Sequence, residues 1–193
     1  MTIETHPLEP FLPENAHILF LGSFPPPKAR WSMNFFYPNW INDFWRVQGL
    51  LHFNDKSYFE SKKDAKKFAY ESIVAFCKEK GLAFFDTARK VKRLKDNASD
   101  NFLEILEPTD VGFLLQQIPL CNRVVTTGGK ASEELQQTLS QATNSNVELP
   151  AIGNCVVLEV FNRRLEWWRM PSTSRAYPLK LEKKAEYYRI LFE

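Results

Sequence analysis

Four short stretches bring hydroxyls, turn glycines or a carboxylate to the end of an apolar run. They are Gly22-Ser23 in FLGSFPPP, Asp86-Thr87 in LAFFDT, Thr127-Gly128-Gly129 in RVVTTGG, and Pro171-Ser172-Thr173-Ser174 after LEWWRM. All four could converge on one sheet edge, at the carboxyl ends of strands where open α/β sheets place ligands. TTGGKAS lacks the upstream glycine of a Walker loop, and Ala131 follows Lys130, so nucleoside triphosphate binding is rejected. Ser23 lacks the flanking glycines of a nucleophile elbow, which argues against a serine hydrolase. Cys77, Cys121 and Cys155 have no CxxC spacing, and His6, His17 and His52 are scattered, so neither a metal centre nor a triad is expected.

The elements that position these loops follow from hydrophobic pattern. HILFLGS is short and nearly all apolar, as a strand covered on both faces should be, giving strand one at His17 to Leu21. Pro25, Pro26 and Pro27 supply no N–H and fix φ, so the chain leaves the sheet at Gly22-Ser23 in a stiff, extended loop. WINDFWRVQGLL reads as a helix capped by Asn39 or Asn42, and a Lys-rich helix is expected from Ser61 to Lys80. Gly81 to Thr87 reads as strand two. DNASDNFLEIL reads as loop and helical turn, and TDVGFLLQQIP as a helix capped by Thr109 or Asp110. Arg123 to Gly129 is strand three, followed by the helix KASEELQQTLSQA. CVVLEVFNRRLEWWRM reads as a hairpin, and Leu179 to Phe192 as the last helix. Strands alternating with helices predict an α/β fold, a three-layer α/β/α sandwich around a mostly parallel sheet.

The 193 residues, 44% of them hydrophobic, suffice for one core, and a single domain over 1–193 is expected, with 1–15 as a surface lead-in. Sixteen Phe and five Trp exceed what such a core needs, which leaves some to stack on a flat ligand. The net charge of +2 is mild, but basic residues cluster at Lys62 to Lys67, Arg89 to Lys95, and Arg163 to Arg175. Such clustering near loop ends favours nucleic acid over a merely solvated face. Unpaired thiols fit a reducing cytoplasm, and neither a membrane span nor a signal peptide is expected.

GSFPPP, FFYPNWINDFW and MPSTSRAYPLKLEKKAEYYRIL, in this order and spacing, resemble the uracil-DNA glycosylase superfamily. The similarity is greatest to the branch of mismatch-specific uracil and hypoxanthine (deoxyinosine) DNA glycosylases. GLAFFDTARKVKRLKDNASDNFLEIL and RVVTTGGKA fit that branch's second and third strands, so the resemblance spans about Ile18 to Leu191. It implies a monomer that binds DNA at the carboxyl ends of a parallel sheet. It would hydrolyse the glycosidic bond of a flipped uracil or hypoxanthine, with no cofactor or metal, and leave an abasic site in base excision repair.

The resemblance also implies roles. The loop after strand one, Gly22 and Ser23, would line the base pocket, and Pro25 would shape a DNA-backbone contact. Phe36 or Tyr37, with Phe35 a weaker candidate, would stack on the base. Asn42 would orient water towards C1′ of the sugar or hydrogen-bond the departing base, although a helix cap is the plainer use of the same residue. Thr127 and Gly128 would touch the base edge, Ser172, Thr173 and Ser174 the phosphates or ribose, and Arg175 either the gap left in the duplex or only the DNA backbone. Two features depart from the family: three prolines replace the usual Pro-Gly, and Arg175 stands where a proline is common. Ser23 is too weak a base to replace the superfamily's frequent Asp. That keeps a second class open, a non-catalytic DNA-binding relative, with a small-molecule enzyme using TTGG for phosphate as a third.

Overall fold

A computed structural model describes residues 2–94 and 103–193. Its strands are β1 (Thr2–Thr5), β2 (Ile18–Gly22), β3 (Leu82–Asp86), β4 (Ala88–Arg93), β5 (Leu103–Pro108), β6 (Arg123–Thr127), β7 (Cys155–Val160) and β8 (Arg163–Met170). Its helices are α1 (Phe44–Phe53), α2 (Tyr70–Glu79), α3 (Val111–Gln117), α4 (Gly129–Thr143) and α5 (Leu181–Arg189). The main sheet has the order β3-β2-β6-β8-β7, with β7 antiparallel to β8 and the other pairs parallel. β2 and β3 are buried at every residue, which explains their unbroken apolar runs.

Right-handed crossovers fix the layers. From β2 the chain crosses through α1 and α2 to β3 on one side, then through α3 to β6 on the other side of β2, and through α4 to β8. α1 and α2 therefore cover one face, where α5 packs on α1, and α3 and α4 cover the other. The crossovers reverse direction between β2 and β6, which makes the carboxyl ends of those strands the switch point where open α/β sheets bind ligands. Register sets those ends level: Gly22 faces Asp86, Leu21 faces Thr126, and Thr127 faces Met170.

Several expectations need correction. The Lys-rich segment is helical only from Tyr70. Before it, the Ser61 hydroxyl accepts the Lys63 and Asp64 N–H groups, and Lys66 has φ +56°, so 61–69 turns back instead of extending the helix. The helical turn expected in NFLEIL is strand β5 from Leu103, while 95–102 lie outside the described residues. β5 pairs with β4 and β4 with β1, so the expected lead-in forms part of a second, antiparallel sheet, β1-β4-β5. The basic run Arg89–Arg93 is thus a strand, with Lys90 and Lys92 paired to Glu107 and Glu104. The third basic cluster is divided. Arg163 stands at the amino end of β8 and bonds the carbonyls of Leu115 and Cys121, far along the strand from Ser172.

Cys77 and Cys121 are buried, but Cys155 on the edge strand is only partly so. Burial pushes the Cys77 thiol far up and that of Cys121 to about 12, so neither is a ready thiolate. Among the described residues no helix is long and apolar enough to cross a membrane.

Thr126, fully buried on β6, accepts from Trp167 Nε1 at 3.0 Å and from the Ser132 hydroxyl at 2.9 Å, joining β6 to β8 and α4. Thr126→Val leaves the indole N–H without a partner. It should cost about 1–3 kcal/mol, read as a lower urea midpoint with the slope unchanged.

Candidate functional site

The three prolines carry a physical consequence beyond stiffness. Without N–H groups, Pro25 and Pro26 offer only carbonyls to hold them, and both are taken. Arg93 donates to Pro25 O at 3.1 Å, and Trp31 Nε1 donates to Pro26 O at 2.7 Å. Arg93, on β4, is itself paired with Glu4 of β1 at 2.7 Å. Phe24 packs with Ala88, Val91 and Leu103. The second sheet therefore anchors the loop that leaves β2.

A second turn brings in the aromatics. Ser32 donates through both its N–H and its hydroxyl to Pro38 O, closing the 32–38 turn, and Trp45 Nε1 holds Phe36 O at 3.0 Å. Tyr37 has φ +51°, a costly conformation for a bulky residue, at a position that lines the cavity described below. Its ring lies flat on Phe44, with centroids 3.9 Å apart and planes within 5°, so a base can stack only on its opposite face. Its hydroxyl bonds Thr127 Oγ1 at 2.7 Å. Burial raises the Tyr37 phenol well above its usual range, the Thr127 bond opposes this, and the Asp86 carboxylate adds to it. Phe36 is 3% exposed and stacks on Phe84.

Asn42 precedes α1, where its Oδ1 accepts the Phe44 N–H at 2.9 Å. The N-cap of α1 is Asp43, whose side chain makes no capping bond, so in place of the expected cap Asn42 makes a turn one residue earlier, and that bond fixes its amide plane. The Asn42 NH2 and the second lone pair of Oδ1 remain available. Arg46 holds the same turn from inside α1, donating to Trp40 O at 2.8 Å and Asn42 O at 3.2 Å.

Asp43, the residue immediately before α1, is buried at 7% exposure. It accepts from Lys184 Nζ at 3.1 Å and from Arg175 Nε at 2.9 Å. Lys184 also donates to Ser174 O at 2.8 Å, and the Asp43 N–H donates to Thr173 O at 2.8 Å. Asn42 forms a β-bridge with Ser174. One buried ion pair thus holds the 172–175 loop against the start of α1.

These loops enclose a cavity of about 600 Å³ at the switch point. Gly22, Ser23, Pro25, Phe36, Tyr37, Asn42, Thr127, Ser172, Thr173 and Ser174, ten of the residues singled out from sequence, line it. Gly128 and Arg175 do not. The Gly128 N–H is committed to Met170 O at 3.2 Å, and Arg175 lies over Asp43 with 46% of its side chain exposed. Thr173 is 2% exposed, so what it offers is mainly backbone.

Asp86 also lines the cavity, held by His6, whose Nε2 lies 3.0 Å from Asp86 Oδ2. Sequence reading placed Asp86 at a strand end but gave it no role, and it counted His6 as scattered. The pairing of β3 with β2 was the available signal for Asp86. Nothing local marks His6, 80 residues away in sequence. Among the described residues no group of three or more His, Cys, Asp or Glu could hold a metal ion.

The fold has a counterpart. Over the whole of both chains, it matches the solution NMR structure of a "putative Uracil DNA glycosylase" from Methanosarcina acetivorans, with a TM-score of 0.65 and 21% identity. The two proteins share a fold. No family model matches the sequence, and no curated protein is similar to it.

Lys184→Met should leave Asp43 buried with weaker compensation and lower stability by about 3–5 kcal/mol. Adding Asp43→Asn should restore part of the loss, because the uncompensated charge is removed. Urea denaturation of the two variants measures both effects.

Proposed function

We propose that the protein is a monofunctional DNA glycosylase that hydrolyses the N-glycosidic bond of a deaminated base, uracil or hypoxanthine, flipped out of a duplex. The observation that carries this reading is the cavity itself. It sits at the switch point between β2 and β6, walled by Phe36 and Tyr37, with Asn42 and the Ser172–Ser174 loop at its edge. Its volume of about 600 Å³ suits a nucleobase with its sugar. The fold shared with the putative uracil DNA glycosylase of Methanosarcina acetivorans adds to it.

In this mechanism the flipped base enters between the aromatic turn and the β2 loop, and the serine-rich loop takes phosphate or ribose. The bond from C1′ to the base nitrogen breaks with its electron pair going to the base. Water then adds its oxygen to C1′, gives up a proton, and the base leaves neutral after protonation. The sugar passes through a cationic, oxocarbenium-like state, so preorganised dipoles can supply much of the rate. Asn42, its plane held by the Phe44 N–H, orients the water or the departing base. Ser23 lines the same cavity and contributes a hydroxyl rather than a base. Gly22 and Thr127 border the base, and Pro25 and Gly128 hold the walls on either side. Arg175, bound at the rim by Asp43, fills the gap that the base leaves in the duplex.

Duplexes carrying uracil or inosine, treated with alkali after incubation, should be cut at the modified base. Intact DNA together with retained DNA binding would instead favour a non-catalytic relative. Asn42→Ala should lower single-turnover excision by about 10²-fold or more with DNA affinity nearly unchanged. Unchanged excision with about 1 kcal/mol less stability would leave Asn42 with its turn-forming bond to the Phe44 N–H alone. Arg175→Ala should reduce excision from duplex far more than from single strands, where no stack is opened. Equal loss on both, with a salt slope lower by about one, would assign Arg175 to a phosphate.

A further inference from the structure

Lys62, Lys63, Lys66 and Lys67 have no part in the site described above, yet the fold brings them to the same end of the sheet. α2 ends at Glu79 and β3 begins at Leu82, with β3 parallel to β2, so the start of α2 lies near the carboxyl ends of the strands. The start of α1, beside Asn42, lies there too. The segment just before α2 therefore stands on the cavity side of the molecule. It is a closed hairpin. Glu60 and Phe68 form a β-bridge, the Ser61 N–H donates to Lys67 O at 2.8 Å, and the Ala69 N–H donates to Phe59 O at 2.8 Å. Lys66 turns the chain at φ +56°, a conformation that a side chain of this kind adopts only when its surroundings impose it.

Arg46 fastens this hairpin to the cavity. Its Nε donates to Glu60 at 2.8 Å, and its guanidinium lies 4.4 Å from the centroid of the Trp40 ring and 5.4 Å from that of Phe68. The same side chain donates to Trp40 O and Asn42 O, so one buried cation ties the base of the hairpin to the turn that carries Asn42. The tip, 62–67, is exposed throughout and holds four lysines and one aspartate. None of these lysines pairs with a carboxylate among the described residues, whereas Lys90, Lys92, Lys183 and Lys184 all do. Like charges gathered on a fixed turn repel one another, and a polyanion relieves that repulsion. Arg30, on the proline-loop side of the cavity, also lacks a carboxylate partner among the described residues and lines the rim.

We infer that the 60–68 hairpin is a second DNA-binding element, which grips backbone phosphates of the duplex beside the nucleotide that enters the cavity. This rests on the DNA reading proposed above. Ammonium groups are point charges on flexible stems, so they follow phosphates without reading bases, and the hairpin binds undamaged and damaged duplex alike. Its base is rigid and only the lysine stems adapt. Because Arg46 joins that base to the Asn42 turn, a duplex held by the lysines is also held in register with the cavity. Each phosphate that a lysine neutralises releases counterions, which makes the hairpin a source of salt dependence in DNA affinity.

The test is the affinity of the full chain for a fluorescent, undamaged duplex, measured by anisotropy over a range of salt concentrations. Replacing all four lysines by Gln should lower the slope of log affinity against log salt by about two to three, and weaken binding about tenfold or more at ~0.1 M salt. The half variants, Lys62→Gln with Lys63→Gln and Lys66→Gln with Lys67→Gln, should each lower the slope by about one to two. Lys78→Gln with Arg164→Gln removes two exposed charges near the amino ends of the strands and should change it by less than about half a unit. An unchanged slope in the fourfold variant would overturn the inference. So would a fall in the Lys78 and Arg164 variant equal to that in either half variant, which would report net charge alone. Hairpin-dependent binding with uracil and inosine duplexes left uncut would retain the hairpin and remove the glycosylase reading. Cutting with a slope independent of the hairpin would do the reverse, and a wild-type protein that binds no duplex would remove both.

Discussion

The buried carboxylate of Asp43 is the constraint on which the rest of the site depends. A charge removed from water must be compensated, and here Lys184 from α5 and Arg175 from the last loop do so together. Lys184 spends its remaining donors on the Ser174 and Thr173 carbonyls. The start of α1, the loop after β8 and the final helix are therefore held to one another. A loop rich in Ser and Thr has little apolar surface with which to hold itself, and this ion pair supplies the anchor that packing does not.

A second sheet performs the same service for the proline loop. Prolines have no N–H by which to be tied down, and β1-β4-β5 provides Arg93 for the Pro25 carbonyl and an apolar face for the neighbouring Phe24. The same sheet delivers His6 to Asp86. The cavity thus has one wall fixed by charge and one fixed by an added layer of strands. Between them stands a continuous set of rings, Tyr37 on Phe44 and Phe36 on Phe84, that roots the aromatic turn in the core. Much of the surplus of Phe is accounted for in this way, since Phe20, Phe35, Phe44 and Phe84 pack edge or face on one another.

Such a site is preorganised at the level of single atoms. The Asn42 amide is oriented by the Phe44 N–H, and the Tyr37 hydroxyl by Thr127. The backbone of Tyr37 is held in a conformation that it would not adopt alone. These are the conditions under which polar groups act on a developing charge without first having to reorganise.

Local pattern in the sequence determined the main elements. A branched, nearly unbroken apolar run made β2 legible as a strand covered on both faces, and alternation of strands with helices specified a parallel sheet around it. Proline chemistry alone located the exit at Gly22-Ser23. What pattern could not resolve was the edge of the fold. β4 and β5 are half-exposed and charged, so their periodicity resembles that of a loop or a solvated helix face, and 61–69 look helical until Ser61 and Lys66 are seen to turn the chain. The partnerships at the site were decided by tertiary structure alone: His6 with Asp86, Asp43 with Lys184, and Tyr37 with Thr127. Each joins residues about 80 or more positions apart, and hydrogen bonds and ion pairs leave no periodic trace in the chain. Only the level register of parallel strands brings such groups to one place.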